Sequence, residues 1–286
     1  MSSRSDAALP PRSAALRRAF LDACRAELEA LKPGNVHVHA EGHGMTVDDF
    51  LRSAAAAAPA LCLPHRAVGR RIREAVEASW QAVPRNTNLG IILLSAPLIA
   101  AAESGAGSLR ERVARVLVRS TVSDAAECFA AIARANPAGL GRVPAQDVAA
   151  APTVSLRAAM TLAAERDRIA RQYATDYEDV FAGAARIAEG RRQGQSASWT
   201  TTLVYLDFLA AFPDSHIARK HGSETAERVR RDAAALVQLL PPEPAAAFPR
   251  LLEFDRELKA GGLNPGTSAD LTVASLLTDA AAELGD

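Results

Sequence analysis

The sequence predicts an all-α fold: a single multi-helix domain with two helices buried at its centre. Three observations predict it. Apolar residues recur at spacings of three and four along most of the chain, the period of one helix face. Two stretches, Leu89–Ala102 and Thr200–Phe212, are apolar almost all round, as helices enclosed by other helices must be. No alternating run is long enough for a sheet; Val36-His37-Val38-His39 alternates, but four residues alone have nothing to pair with.

In chain order, residues 1–12 are polar, contain Pro10-Pro11 and lack the apolar core of a signal peptide, so they read as a flexible tail before a domain at 13–286. Leu16, Phe20, Cys24, Leu28 and Leu31 line one face of a first helix, and Val68, Ile72, Val76 and Trp80 repeat the pattern. Leu89–Ala102 is uncharged yet too short to span a bilayer, and Pro97 interrupts it. Leu109, Val113, Val116 and Leu117 form a stripe opposite a row of arginines. Ser123 reads as the N-cap of a helix ending at Arg134, stopped by Asn136-Pro137. Gly139 to Pro152 is a loop with room for a domain boundary, although helices of the same style resume after it. Thr153–Gln172 and Thr175–Arg192 read as two helices, and Pro213 closes the second apolar run. Further stripes end at Pro241-Pro242 and Gly261-Gly262, and Ser268 is placed to cap a last helix carrying Leu271, Ala274, Leu277 and Ala281.

A chain of 286 residues can bury a large core. Its 33 basic and 33 acidic residues cancel, and no basic stripe appears, which argues against a nucleic-acid partner. No stretch is fit to enter a membrane. Cys24, Cys62 and Cys128 lack metal or redox spacing and sit in Ala-rich helical contexts, as buried thiols in a reducing cytosol would. A cytoplasmic protein is expected.

Chemistry-bearing residues collect where helices end. After the first helix come Lys32-Pro33-Gly34-Asn35, then His37, His39 and His43. No carboxylate or cysteine completes a metal set at motif spacing, so no metal site is assigned. A solvated loop and a ligand grip both remain open, with Lys32 a flexible point cation suited to phosphate. Asn86-Thr87-Asn88-Leu89-Gly90 heads the apolar helix with more polar groups than one cap needs, and Gly90 permits a close approach. Asp167-Arg168 falls inside the predicted helix Thr153–Gln172, with Asp167 turned toward Met160 and Ala163 and needing a partner such as Arg171 or Lys220. Asp207, inside the apolar run, raises the same question. Asp214 to Gly222 combines a capping carboxylate with Arg219, Lys220 and His221. Asn264-Pro265-Gly266-Thr267-Ser268-Ala269-Asp270 offers a helix start with two hydroxyls and a carboxylate, an anion cradle or an ordinary first turn.

Taken in order, these segments resemble the triphosphoribosyl-dephospho-CoA synthase family. The likeness rests on the Lys32-Pro33-Gly34 turn, Met45 with Phe50 and Ser53, Asn86-Thr87 ending in Gly90, Asp214 with Arg219, and Pro265-Gly266 before Ser268-Ala269-Asp270-Leu271, and it spans Ala14 to Ala281. The resemblance implies an all-helical transferase: a ribosyl hydroxyl of 3′-dephospho-CoA attacks C1′ of ATP and adenine leaves, with Mg²⁺ accompanying the ATP. It places Lys32, Arg219 and Lys220 on phosphates and Asn86 and Asn88 on sugar or base. Asn35, His37, Thr87, Arg168, Thr267 and Ser268 join the substrate-binding set, and Asp167, Asp214 and Asp270 compete for the catalytic carboxylate. The partner expected is a small nucleotide or CoA-like molecule, with a homodimer left open. Two departures stand out. Typical members read Asn-Thr-His-Lys-Gly where this chain has Asn86-Thr87-Asn88-Leu89-Gly90, and Gly44 replaces the usual Asp before Met45. The chain is similar in this to a divergent branch in methanogens and methylotrophs. That leaves two alternatives: a related phosphoribosyl or pterin substrate in tetrahydromethanopterin-type C1-carrier biosynthesis, or a non-catalytic nucleotide- or cofactor-binding protein.

Overall fold

A computed structural model describes residues 9–40, 42–103, 105–137, 146–241 and 243–285, and fourteen helices run through them with no strand. The first, α1 (Pro11–Glu29), opens with a proline whose missing N–H costs nothing in a first turn. It begins inside the stretch assigned to the tail, and the Arg12 guanidinium donates to the Ala102 carbonyl at 2.6 Å. Residues 1–8 lie outside the described residues.

α2 (Val47–Leu61), α3 (Val68–Ala82), α4 (Leu89–Ala102), α5 (Leu109–Val118) and α6 (Val122–Ala135) follow. Reciprocal capping boxes start three of them: Thr46 with Asp49, Ser108 with Glu111, and Thr121 with Asp124. The last corrects the expectation for Ser123. Thr121 holds the cap because Asp124 returns a bond to its N–H at 2.8 Å. Asn136, left-handed at φ 43°, stops α6 as expected.

The predicted helix Thr153–Gln172 is two, α7 (Leu156–Ala163) and α8 (Arg168–Ala174). Met160, Ala163 and Ala170 keep a near-helical spacing across the break, so periodicity alone does not show it. Asp167, expected inside a helix, is instead the N-cap of α8. Positive φ at Asp176 and Tyr177 likewise delays α9 to Glu178–Arg192. Then come α10 (Ala197–Ala211), α11 (Ser215–His221), α12 (Ser223–Leu239), α13 (Pro244–Ala260) and α14 (Gly266–Glu283). Because α14 begins at Gly266, Ser268 lies within its first turn and does not cap it.

The main core draws residues from Leu16 to Ala281 and joins Ile132 before the 139–152 loop to Leu156 and Met160 after it, so no domain boundary falls there. Residues 138–145 of that loop lie outside the described residues. At its centre α4 buries Ile92, Leu94, Leu98 and Ile99 completely, each contributing about 1.5–3 kcal/mol. Pro97 cannot donate to the Leu93 carbonyl; the Tyr173 hydroxyl does so at 2.6 Å, and Tyr177 reaches the Leu94 carbonyl at 3.1 Å. α14 is buried too, and Thr272, Ser275 and Thr278 each donate 2.8 Å bonds to carbonyls four residues back, so its hydroxyls enter the core satisfied. A smaller cluster (Leu206, Leu209, Ile217, Val229, Leu251, Phe254) unites α10 to α13. Asp207 sits on an exposed strip of α10, 3.6 Å from Arg186, which answers why an otherwise apolar helix carries it. All three cysteines are buried and free. Among the described residues no helix is long and apolar enough to cross a membrane.

Candidate active site

The starts of α4, α8 and α14 open onto one cavity, with α1, α2, α6, α7 and α11 contributing the rest of its helical lining. Its volume, about 440 Å³, falls in the range of small-molecule sites. Its lining combines polar groups, among them Glu27, Asn35, Asn264, Asp270 and the Asp167–Arg219 pair, with apolar ones such as Leu93, Phe129, Ile132 and Met160.

Asp270 is the most exceptional group there. It sits in the second turn of α14, and no hydrogen bond ties its side chain to another described residue. Its carboxylate lies against the backbone of Gly90 in the first turn of α4: a Cβ at Gly90 would stand 2.6 Å from the Asp270 Cγ and from Ile169 Cδ1. The close approach expected at Gly90 is therefore made by an acid of the protein itself. Burial, then the neighbouring charges of Glu27 and Asp214, push the Asp270 carboxyl well above the ordinary range, with Arg219 opposing. It is a carboxyl held toward its protonated form at the edge of a ligand-sized cavity.

Asp167 and Asp214 hold their helices together. Asp167 Oδ1 accepts from the N–H groups of Ile169 and Ala170 at 2.9 and 3.0 Å, and Oδ2 pairs with Arg219. Asp214 is buried outside the cavity lining and caps two helices at once. Its Oδ1 accepts from His216 and Ile217 N–H at 2.9 and 3.2 Å, and its Oδ2 from the Ser268 N–H and hydroxyl at 2.8 and 2.9 Å. Four bonds fill the four acceptor sites of a carboxylate, leaving none for a reacting proton. Burial raises Asp214, against those same bonds. The clamp fixes Thr267, whose hydroxyl accepts from the His216 N–H at 3.2 Å, and aims His216 and Arg219 at the cavity. His216 is pushed down to about 4 by burial and by the cations of Arg219 and Lys220, so its imidazole is neutral at neutral pH. The Arg219 Nε is buried without a partner, a donor held ready for a ligand.

The turn after α1 is fixed from beneath. Gly34 adopts φ +81°, its N–H donates to Asp255 Oδ1 at 2.8 Å, and Tyr205 donates to the Pro33 carbonyl at 2.6 Å. Burial would raise Asp255, but bonds from His37, Lys259 and the Gly34 N–H hold it below the usual carboxylate range. Lys32 is fully buried and outside the cavity lining; it donates to Glu27, to Asn35 Oδ1 at 2.9 Å and to the Val36 carbonyl at 2.9 Å. All three ammonium protons are thus engaged inside the protein. His37 packs on Asp255, His39 reaches the Glu29 carbonyl and His43 the Gly34 carbonyl, so the three imidazoles do not converge. Among the described residues no cluster of metal-ligating side chains forms.

Of the residues expected at the site, the structure brings Asn35, Asn86, Thr87, Asp167, Arg219 and Asp270 to the cavity. It sets Lys32, His37, Asn88, Arg168, Asp214, Lys220, Thr267 and Ser268 outside its lining. Asn88 turns to a small void behind α4, accepting from Ser79 at 2.7 Å with its Nδ2 unpartnered. Arg168 grips Asp179 through two 2.9 Å bonds and lies 4.0 Å over the Phe212 ring. Lys220 is exposed. Position 89, where the typical motif has its lysine, does face the cavity, but as Leu89; among described lining residues the full cations are Arg166 and Arg219.

Six polar lining residues were not assigned to the site from the sequence: Glu27, Gln146, Asp147, Arg166, His216 and Asn264. Glu27 carried a signal, because it continues the buried stripe Phe20, Cys24, Leu31 at helical spacing, and a carboxylate in an apolar stripe needs a reason. His216 lay within a segment read for its capping carboxylate and its cations. Asn264 opened a segment read for its hydroxyls and carboxylate, and Gln146, Asp147 and Arg166 offered no pattern.

Comparison with known proteins points the same way. A solved structure from Archaeoglobus fulgidus, provisionally described as a triphosphoribosyl-dephospho-CoA synthase, is similar at a TM-score of 0.64 and 25% identity, covering 80% of this chain and 97% of that one. No curated protein matches. The family model for ATP:dephospho-CoA triphosphoribosyl transferase (CitG) matches residues 13–285, nearly the whole chain, and the chain belongs to that family.

Proposed function

We propose that this cavity transfers the triphosphoribosyl group of ATP to a ribosyl hydroxyl of 3′-dephospho-CoA and releases adenine. Family membership supports the reaction, and the observation that carries its placement is the Asp270 carboxyl beside Gly90, without a hydrogen-bond partner among the described residues and lining the same cavity as Arg219. Breaking the C1′–N9 bond builds positive charge on the ribosyl ring and negative charge on the departing purine, as in glycoside cleavage. A carboxyl kept toward its neutral form donates a proton to that leaving base, a service worth about 10²–10⁴ in rate. Arg219, with its unpartnered Nε, and Arg166 take the phosphates. Asn35, Asn86 and Thr87 orient the sugars, and the apolar lining residues accept the flat base.

Two cations are few for a triphosphate, and the acidic lining would repel one. The oxygen donors present fit a Mg²⁺ brought with ATP, since that ion takes one or two carboxylates and completes its shell with phosphates and water. Asp167, whose Oδ2 keeps one acceptor position beside its bond from Arg219, is the carboxylate that would hold it, and the ion would offset triphosphate charge. With ATP and a CoA precursor as co-substrates, a cytoplasmic reaction is part of this proposal. Nothing in the matched family points to a pterin or another C1 carrier, so the CoA reading is preferred. The test is incubation with ATP, Mg²⁺ and dephospho-CoA, with adenine followed by chromatography. Adenine equal to the dephospho-CoA consumed is expected; thermal stabilisation by both compounds without adenine would leave only a binding protein.

A further inference from the structure

We propose that Glu27 is a second catalytic carboxylate of this cavity, working as the base that complements Asp270, with Lys32 as its positioning residue. The inference rests on the transfer reaction argued above. Glu27 reaches the cavity from α1, is almost fully buried, and is held from below by the Lys32 ammonium, whose other two protons go to Asn35 Oδ1 and the Val36 carbonyl. That cation is therefore committed to fixing one carboxylate, and the ion pair faces a ligand-sized space where an ordinary buried pair would be sealed by packing. Asp270, in the lining of the same cavity, has no hydrogen-bond partner among the described residues.

The step balances between these two acids. The attacking ribosyl hydroxyl gives its proton to Glu27 as its oxygen bonds to C1′. The electron pair of the C1′–N9 bond leaves with the purine, and Asp270 gives its proton to the purine ring. One proton is taken and one given; the cycle closes when solvent returns a proton from Glu27 to Asp270 after product leaves. Burial pushes the Glu27 carboxyl up, with the Lys32 charge and hydrogen bond opposing, which makes it a stronger base than an exposed glutamate while keeping a counter-charge beside it. The charged and titratable neighbours are Lys32, Asp270, Cys24 and Tyr205 around Glu27, and Glu27, Cys24, Lys32, Asp214, Arg219 and Asp167 around Asp270.

The experiment is Glu27→Gln beside Glu27→Asp, with adenine release measured against pH and the Asp270 carboxyl followed by ¹³C NMR, its signal assigned by its loss in Asp270→Asn. For Glu27→Gln, kcat falls about 10²- to 10⁴-fold while KM for ATP stays within about threefold, the size of effect expected of a general base. Glu27→Asp, which keeps the charge, retains more activity than Glu27→Gln. Asp270 titrates at lower pH in Glu27→Gln because a neighbouring negative charge is gone. A kcat for Glu27→Gln within about threefold of wild type, where general-base removal predicts far more, overturns the proposal, as does equal impairment of both variants. An unmoved Asp270 titration overturns it even if the wild-type protein releases no adenine, a result that would separately refute the transfer reaction itself.

Discussion

Gly90→Ala is the sharpest perturbation the geometry offers. Gly90 is helical, in the first turn of α4, so by backbone propensity alone alanine should stabilise the helix by about 0.5–1 kcal/mol. The added methyl, however, lands 2.6 Å from the Asp270 Cγ and 2.6 Å from Ile169 Cδ1, and nearer still to the Asp270 Oδ2. Carbon atoms rest about 3.5–4.0 Å apart, so the carboxyl must withdraw by roughly 1 Å. Crowding of this kind costs about 1–3 kcal/mol, partly offset by the helical gain, and the protein stays folded. Catalysis suffers more, since a 1 Å displacement of a reacting group costs on the order of 10²-fold in rate, about 2.7 kcal/mol of barrier. Steady-state adenine release should show kcat reduced about a hundredfold with KM for ATP little changed, while calorimetry finds a loss of roughly 2 kcal/mol or less. Wild-type kcat in a folded Gly90→Ala protein would refute the claim that Asp270, at this position, acts on the reacting atoms.

Asp270→Asn should be more stable than wild type at neutral pH and lose that advantage in acid. The folded-state carboxyl is raised above its unfolded value, so between the two the native state holds a proton that the unfolded chain has released, and wild-type stability falls as pH rises through that window. The slope reaches at most about 1.4 kcal/mol per pH unit, and thermal melts of both proteins from pH 4 to pH 8 measure it; a constant difference would contradict the buried acid. Arg219→Met should raise KM for ATP about 10- to 150-fold, as loss of a charged hydrogen bond predicts. Arg168→Met, which loses the Asp179 bonds and the Phe212 face, should cost about 1–3 kcal/mol of stability with KM within about twofold. Equal KM values for the two variants would remove Arg219 from the site. Tyr173→Phe strands the Leu93 carbonyl that Pro97 cannot serve, a loss of about 1–3 kcal/mol, read from urea unfolding.

Helices buried by their own composition could be read directly. Leu89–Ala102 matches α4 residue for residue, because an uncharged run ending at Glu103 leaves no choice of face or boundary. Boundaries set by single polar groups were harder. Thr121 outcompetes Ser123 through a bond from Asp124 that lies three residues away, and the α7–α8 break depends on Asp167 capping α8 while Arg219, 52 residues on, holds its second oxygen. Spacing carries the average environment of a face; it does not carry which of two neighbouring hydroxyls finds its reciprocal partner.

The same limit divides the site. Polar residues at helix starts were legible as a group, and half a dozen of them do converge, yet the sequence could not say which would be consumed by structure. Lys32 looked like a phosphate cation and is spent on Glu27; Asp214 looked like a catalytic acid and is filled by four donors. What separates a working group from a supporting one here is unused hydrogen-bonding capacity: Asp270 has no described partner and Arg219 keeps a free Nε, both in the cavity. That quantity depends on contacts between α1, α4, α11 and α14, more than a hundred residues apart at the extremes, and no local pattern encodes it. Gly90 is the partial exception. A glycine in the first turn of an otherwise bulky apolar helix costs stability with no local return, so its presence already signalled that something must come close, and the acid that does so is the one left free to react.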